Sequence, residues 1–244
     1  MRLRVREVEI PGLPPELDGL RIAHLSDFHL GVPSLGTRAT ERAFEWVAAR
    51  APDLVCITGD LVSRPAGQRT LDRLLERLGG TPYVVLGNHD FAISRDPFSQ
   101  PVQLLEVGRG ELLFDRAVEV DVRGVRVEIA GVDPRSWLAM RPSRFAPSGA
   151  DFHLLLCHFP LALDYVPAGR WDLILSGHLH AGQIVLPYGR ERRLLFAHLR
   201  AKYAQGVFRR GSTTMHVSPG LGTTFVPFRF FARPEATELV LRCA

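Results

Sequence analysis

A chain of 244 residues, 46% of them hydrophobic, is long enough to bury a sizeable core and is not composed like a disordered segment. Lys and Arg exceed Asp and Glu by four and the pI is near 9.3, which fits an anionic substrate or surface. The basic residues are scattered, with no interleaved basic and aromatic run, so no nucleic-acid partner is expected.

The first ten residues lack the apolar stretch of a secretory leader, and no run of roughly 18 apolar residues occurs. Cys56, Cys157 and Cys243 form neither a disulfide framework nor a C-x-x-C knuckle, which points to a reducing compartment. The expectation is a soluble, cytoplasmic protein. Peripheral contact with the inner face of a membrane is left open, and so is the oligomeric state.

Along the chain, residues 20–25 form an apolar run of strand length, with His24 inside it as a packed structural residue. Between 38 and 50, Ala39, Ala43, Phe44, Val47 and Ala48 fall on one helical face with charges opposite. A second run, 54–57, precedes another helical pattern in which Leu71, Leu74, Leu75 and Leu78 recur before Gly79-Gly80; the third run is 83–86. Strand alternating with helix predicts an α/β layer with a largely parallel sheet. Residues 111–132 alternate apolar and polar around Arg123-Gly124, which predicts a hairpin with one solvated face. Residues 135–150 read as loop. Further runs follow at 154–157, where Cys157 reads as a small strand hydrophobe, and at 173–175; His153 is read as structural. From Thr213 onward the chain reads as a strand, a loop holding Gly220-Leu221-Gly222, and a last strand near 237–241, giving a second sheet packed on the first. Those glycines read as positive-φ turn residues rather than a phosphate cradle, and Arg190, Arg192 and Arg193 as a solvated loop. His198 and His216 have no context that assigns them.

The informative pattern is positional. Each of the five apolar runs is followed almost at once by residues of metal-ligand type: Asp27-Phe28-His29, Gly59-Asp60, Gly87-Asn88-His89-Asp90, His158, and Gly177-His178-Leu179-His180. In parallel sheets the carboxyl ends of the strands share an edge where sites form, so five segments are expected to deliver side chains to one place. Carboxylate, imidazole and amide donors without a thiolate suit Mn, Fe, Zn or Mg. Seven of these residues, Asp27, His29, Asp60, Asn88, His158, His178 and His180, are too many for one tetrahedral ion but can be divided between two ions roughly 3.5 to 4 Å apart by a bridging carboxylate. The D-x-H and H-x-H spacings place both members of each pair on one side of an extended segment.

Together these motifs resemble, in order, the five motifs of the calcineurin-like metallophosphoesterases. His24-Leu25-Ser26-Asp27-Phe28-His29-Leu30-Gly31, Ala181-Gly182-Gln183, Gly220-Leu221-Gly222 and Arg233-Pro234-Glu235 resemble the bacterial YkuE/YaeI-type branch, over the chain from about Leu20 onward. The resemblance departs at Ala181, where the branch usually has glycine, and in the lack of the leader or anchor that exported members carry. It implies an α/β fold: a four-layer α/β/β/α sandwich of two mixed sheets flanked by helices, as one domain over 1–244 with residues 1–19 as an N-terminal strand and loop. It also implies two divalent metal ions, with Mn favoured. Asp27, His29 and His180 would hold one and Asn88, His158 and His178 the other, with Asp60 bridging them. A hydroxide between the ions would attack phosphorus in line. His89 would bind the phosphate or protonate the leaving oxygen, and Asp90 would orient that imidazole. The implied activity is hydrolysis of a phosphodiester, pyrophosphate or phosphomonoester, small or lipid-linked.

Any one of these residues has an ordinary alternative: a lone histidine is usually a hydrogen-bonded structural residue, and Gly-Asp or Gly-Asn an ordinary turn. A catalytically silent scaffold that binds protein on the same fold is the rival from another class. His89 argues against it, since a scaffold needs no proton-transfer group. A serine esterase is excluded by the lack of a G-x-S-x-G elbow.

Overall fold

The computed structural model describes residues 1–91, 96–138, 148–167, 169–188, 191–194 and 201–244. In chain order the strands are β1 (Arg2–Ile10), β2 (Arg21–Leu25), β3 (Leu54–Thr58), β4 (Tyr83–Val85), β5 (Glu111–Leu112), β6 (Arg116–Val122), β7 (Val125–Gly131), β8 (Phe152–Leu156), β9 (Leu173–Ser176), β10 (Val185–Tyr188), β11 (Glu191–Leu194), β12 (Gly206–Arg210), β13 (Thr213–Val217) and β14 (Glu235–Cys243). The helices are α1 (Gly36–Arg50), α2 (Gln68–Leu75), α3 (Pro134–Leu138) and α4 (Ala162–Tyr165).

Two six-stranded sheets result, ordered β1-β14-β2-β3-β4-β5 and β12-β13-β9-β8-β7-β6, with β10 and β11 as a separate hairpin. Each sheet has four consecutive parallel strands, β2 to β5 in one and β13-β9-β8-β7 in the other, and each is extended by antiparallel pairing at β14 and at β12 and β6.

Side-chain alternation explains why the runs are apolar throughout. On β2 and β3, Ile22, Leu54 and Cys56 point between the sheets, where they meet Val127, Ile129, Leu154, Leu156, Leu173 and Leu175. Ala23, Leu25, Val55 and Ile57 point outward onto Phe44 and Val47 of α1 and Leu71, Leu74 and Leu75 of α2. On the far side Ala130, Leu155, Ile174 and Met215 pack on Trp137, Leu163 and Trp171. Covering both faces removes the polar alternation of a half-exposed strand, and each fully buried Leu or Ile contributes about 1.5–3 kcal/mol. The layer order is therefore the expected α/β/β/α.

Three expectations need correction. The five runs do not lie in one sheet: 20–25, 54–57 and 83–86 belong to the first, and 154–157 and 173–175 to the second. The hairpin expected over 111–132 turns about Arg123-Gly124 as read but comprises only β6 and β7 of the second sheet, because β5 pairs with β4 in the first. The loop reading of 135–150 fails at its start, where α3 forms; residues 139–147 lie outside the described residues. No helix among the described residues is long and apolar enough to cross a membrane.

A buried carboxylate, Glu238 of β14, links three elements: it accepts from Arg50 at the end of α1 (2.7 and 2.6 Å) and from Arg21 of β2 (3.3 and 3.0 Å). Burial pushes its pKa up, but the hydrogen bonds from Arg50 and Arg21 outweigh burial and hold it below the ordinary value. Glu238→Gln is expected to reduce unfolding free energy by about 1–3 kcal/mol at neutral pH. A depressed pKa stabilises the fold fully above the unfolded value of 4.5 and less as pH falls through the folded value, so urea titrations of the two proteins should converge in acid.

Candidate metal centre

The carboxyl ends of β2, β3 and β4 in one sheet and of β8 and β9 in the other meet at the same end of the sandwich, and each continues into a segment carrying predicted site residues. The loops after β2 and β3 run side by side: Asp27 N–H donates to Gly59 O (2.9 Å), His29 N–H to Asp60 O (2.9 Å) and Leu30 N–H to Leu61 O (3.0 Å). Phe28, between the two site residues, is buried edge-on against Phe44 of α1 at 5.5 Å.

These pairs are not extended, contrary to the spacing argument. Asp27 and His29 have φ of 56° and 49°, and His178 and His180 have 76° and 49°; Asp60 has 54°. Five of the seven predicted donors thus sit in the left-handed region that non-glycine residues avoid, a cost that active sites commonly carry. Gly59, at φ 88°, is needed beside them, since a Cβ there would lie 2.5 Å from Gly87 N. A Cβ on Gly87 would in turn collide with the Asp60 carboxylate.

The donor atoms converge in two overlapping groups, Asp27, His29, Asp60 and His180, and Asp60, His158 and His178, each with atoms within 4.8 Å of one another. Asp60 Oδ2 is the shared atom, 3.5 Å from His29 Nε2 and 3.2 Å from His158 Nε2. His180 Nε2 lies 3.2 Å from Asp27 Oδ1 and 3.0 Å from His29 Nε2, and His178 Nδ1 lies 3.2 Å from His158 Nε2. Asn88 Oδ1 is buried without a hydrogen-bond partner among the described residues.

The surroundings orient these side chains. His158 Nδ1 donates to Thr58 O (2.7 Å), which in a neutral ring leaves the lone pair on Nε2, facing the cluster. His29 Nδ1 is 2.8 Å from Ser63 Oγ, Asp60 Oδ1 accepts from His89 N–H (2.8 Å), and Asp27 accepts from His178 N–H (3.0 Å).

Burial opposes ionisation of Asp27 and Asp60, but His180 and His158 facing Asp27, and His158 and His89 facing Asp60, hold both carboxyls well below the usual range. Burial pulls His158 down, yet Asp60 and then Asp27 outweigh it and raise it to about 9. Burial takes His178 down to about 3, aided by His158, and lowers His29 and His180 as well. Two carboxylates therefore face one imidazolium and three neutral imidazoles whose nitrogens point at one another. Together with the orphaned Asn88 oxygen, such a donor set fits divalent cations.

Asp90 does not take the role expected of it. Its Oδ1 accepts from Leu61 N–H (2.8 Å) and Val62 N–H (2.9 Å) and its Oδ2 from Gly87 N–H (2.9 Å), which ties the loops after β3 and β4 together. Burial and Asp60 push its carboxyl up to about 7 against the pull of those amides. The described partner of the His89 ring is instead Ser99 Oγ, 3.3 Å from Nδ1; the ring also stands edge-on to His29 at 4.7 Å.

Other residues escaped the sequence reading. Arg229 donates to Pro219 O (2.7 Å), Gly222 O (2.7 Å) and His180 O (3.1 Å), and its Nη2 lies 3.1 Å from His180 Nδ1, so it fixes the last site segment to the glycine loop. That loop behaves as read at Gly220, which has φ 71° and whose added Cβ would lie 2.7 Å from the Cβ of Asp27; Gly222 does not have positive φ and is required instead by close approach, since an added Cβ would collide with Phe28 O. His216, unassigned before, pairs with His24 across the two sheets (Nδ1 to Nδ1 2.8 Å), and His24 Nε2 reaches Thr58 Oγ1 (2.9 Å). His153 is half-buried and bonds Asp172 at 3.1 Å. His198, Arg190 and the side chains of Arg192 and Arg193 lie outside the described residues.

The family profile described as calcineurin-like phosphoesterase matches residues 20–182, which takes in every one of the converging segments. The chain belongs to the calcineurin-like phosphoesterase family. This phosphoesterase is 34% identical over 274 residues to the "Transmembrane protein with metallophosphoesterase domain" of Danio rerio, covering 99% of the chain and 58% of that protein. To YkuE, an uncharacterised metallophosphoesterase of Bacillus subtilis (strain 168), it is 29% identical over 246 residues, 94% of the chain and 82% of YkuE, which sets it in the YkuE-type branch. The chain thus spans little more than half the length of its vertebrate relatives. Among solved structures, Haemophilus influenzae NAD nucleotidase (NadN) shares the fold at a TM-score of 0.50 and 14% identity, over 83% of this chain and 45% of that one. The family match spans every residue of the two donor groups, and those residue types suit a divalent metal.

Proposed function

We propose that this phosphoesterase uses two divalent cations to hydrolyse a phosphodiester or pyrophosphate, with phosphomonoesters as poorer substrates. Asp27, His29 and His180 would hold one cation and Asn88, His158 and His178 the other, with Asp60 between them. The observation that carries this reading is the position of Asp60 Oδ2, within 3.5 Å of a histidine in each of the two groups. Bound there, such cations neutralise charge on phosphoryl oxygens and lower the pKa of water for in-line attack.

The chain's own residues do the rest. His29 and His158 are locked by Ser63 and by Thr58 O, so little reorganisation accompanies binding. His89 belongs to neither donor group and stands beside His29, placed to hydrogen-bond the phosphate or give a proton to the leaving oxygen.

A cleft of about 250 Å³, walled by Trp137, Phe159, Leu161, Leu179 and Tyr203, opens beside His178. Its apolar, aromatic lining, with Trp137 stacked on Phe159 at 5.7 Å, supports a substrate whose organic part is a ring or an acyl chain, as in a nucleotide-linked or lipid-linked ester. Turnover of bis-p-nitrophenyl phosphate with added Mn is expected to exceed a chelator-treated control by at least about 100-fold. Equal rates in the two samples, with the protein shown to be folded, would refute the hydrolytic reading.

A further inference from the structure

Among the described residues, half of the exposed large hydrophobic side chains belong to one neighbourhood. Phe225, Phe228, Phe230 and Phe231 project from the segment between Leu221 and β14, with Leu186 of β10 and Leu35 beside α1; Phe231 is 62% exposed and Leu35 74%. Phe228 and Pro227 share a cleft of about 330 Å³ with Leu35, Arg38, Arg42 and Arg229. The Phe segment is fixed rather than loose: Gln183 donates to Thr224 O (2.6 Å) and Val226 O (3.1 Å), and Val185 N–H bonds Phe230 O (2.9 Å). Phe225 and Phe231 have φ of 57° and 52°, a conformation that a bulky side chain adopts only at a cost, and one that here leaves both rings exposed.

The charged side chains that line this cleft, Arg38, Arg42 and Arg229, have one sign. No acidic residue occurs between Leu221 and Pro234, and Arg38, Arg42 and Arg233 are exposed with no ion pair among the described residues. Exposed aromatics rimmed by unneutralised arginines match an anionic lipid surface, where rings enter the headgroup boundary and guanidinium groups meet phosphates. A protein partner's interface would ordinarily interleave carboxylates for such arginines, and among the described residues none lines this cleft to meet them in a second copy.

We infer that the face formed by Leu35, Leu186 and the four phenylalanines, with Arg38, Arg42 and Arg233, docks peripherally on an anionic phospholipid bilayer. Arg229 lines the cleft on this face and also bonds His180, so one side chain joins the docking face to the candidate metal centre. The inference does not depend on the hydrolytic reading.

Flotation of the full chain with vesicles tests it. Recovery with phosphatidylcholine vesicles containing phosphatidylglycerol is expected to exceed that with phosphatidylcholine alone by about tenfold or more, and to fall as salt is raised. The double variant Phe228→Ser/Phe231→Asn should lose about tenfold of that binding. Asn tolerates the left-handed backbone at 231, and an unchanged melting temperature would show that the variant folds. Arg38→Glu/Arg42→Glu should lose binding to the anionic vesicles with its fold intact. Three results would overturn the inference: no flotation with either vesicle, equal flotation of wild type and variants, or a concentration-dependent dimer in light scattering that the Phe substitutions break apart. Turnover of bis-p-nitrophenyl phosphate without vesicles is read separately, so a failure of docking and a failure of catalysis are distinguishable.

Discussion

Asp60→Ala is expected to lower kcat on bis-p-nitrophenyl phosphate by on the order of 1,000-fold and to leave less than one Mn bound per chain. The reason is that Asp60 serves three partners at once. Its Oδ2 is shared between the two donor groups, and its Oδ1 receives the His89 N–H at 2.8 Å. Loss of the side chain removes a donor from both groups and the charge that keeps His158 protonated in their absence. It also frees the backbone of the turn that carries Asn88 and His89. Asp60→Asn separates these effects: its amide oxygen can still accept from His89 N–H while the negative charge is gone, so the turn should persist and ion binding should not. Elemental analysis beside steady-state rates measures both. Retention of two ions by Asp60→Ala with kcat within a few-fold of wild type would show that the shared carboxylate has no bridging role.

His89→Ala should cut kcat by about 100-fold or more while bound metal stays at the wild-type level. Its backbone N–H, the group that holds Asp60, survives the substitution, and its side chain belongs to neither donor group. The loss should shrink for esters with good leaving groups, such as p-nitrophenyl esters, relative to alkyl esters, because a departing oxygen of low pKa needs less help from an acid. Unchanged kcat on both ester classes would remove His89 from catalysis. A parallel loss of metal would reassign it to the cation site.

Much of this was legible because burial writes itself into composition. Strands covered on both faces, such as 54–57 and 154–157, must be continuously apolar, and ligand-type residues follow them because a loop at a strand's carboxyl end is the first backbone free of the ladder. Sheet membership was not legible: a parallel run looks the same whichever sheet it joins, and it is the pairing of β4 with β5 and of β8 with β7 that keeps the five runs in two sheets. The left-handed backbone of Asp27, His29 and His180 left no trace either, because the residue type is fixed by chemistry there and overrides the usual choice of glycine. Asp90 misled for a related reason. A carboxylate next to a histidine suggests a dyad, whereas its oxygens close two loops through amides that any sequence supplies. Arg229 sits among phenylalanines in a segment with no motif, and its carbonyl partners at 180, 219 and 222 are contacts of the backbone, to which sequence is blind.

That the two sheets each supply part of the donor set has a bearing on when the protein can become competent. Asp60 emerges from one leaf, His158 and His178 from the other, so neither leaf alone assembles a place where a cation is held from all sides. The full set of donors exists only after the halves have closed on each other, and an ion held by both would rivet the seam at its mouth. A newly made chain would be inert until folding is finished, and the loaded ion would act as the last fastening.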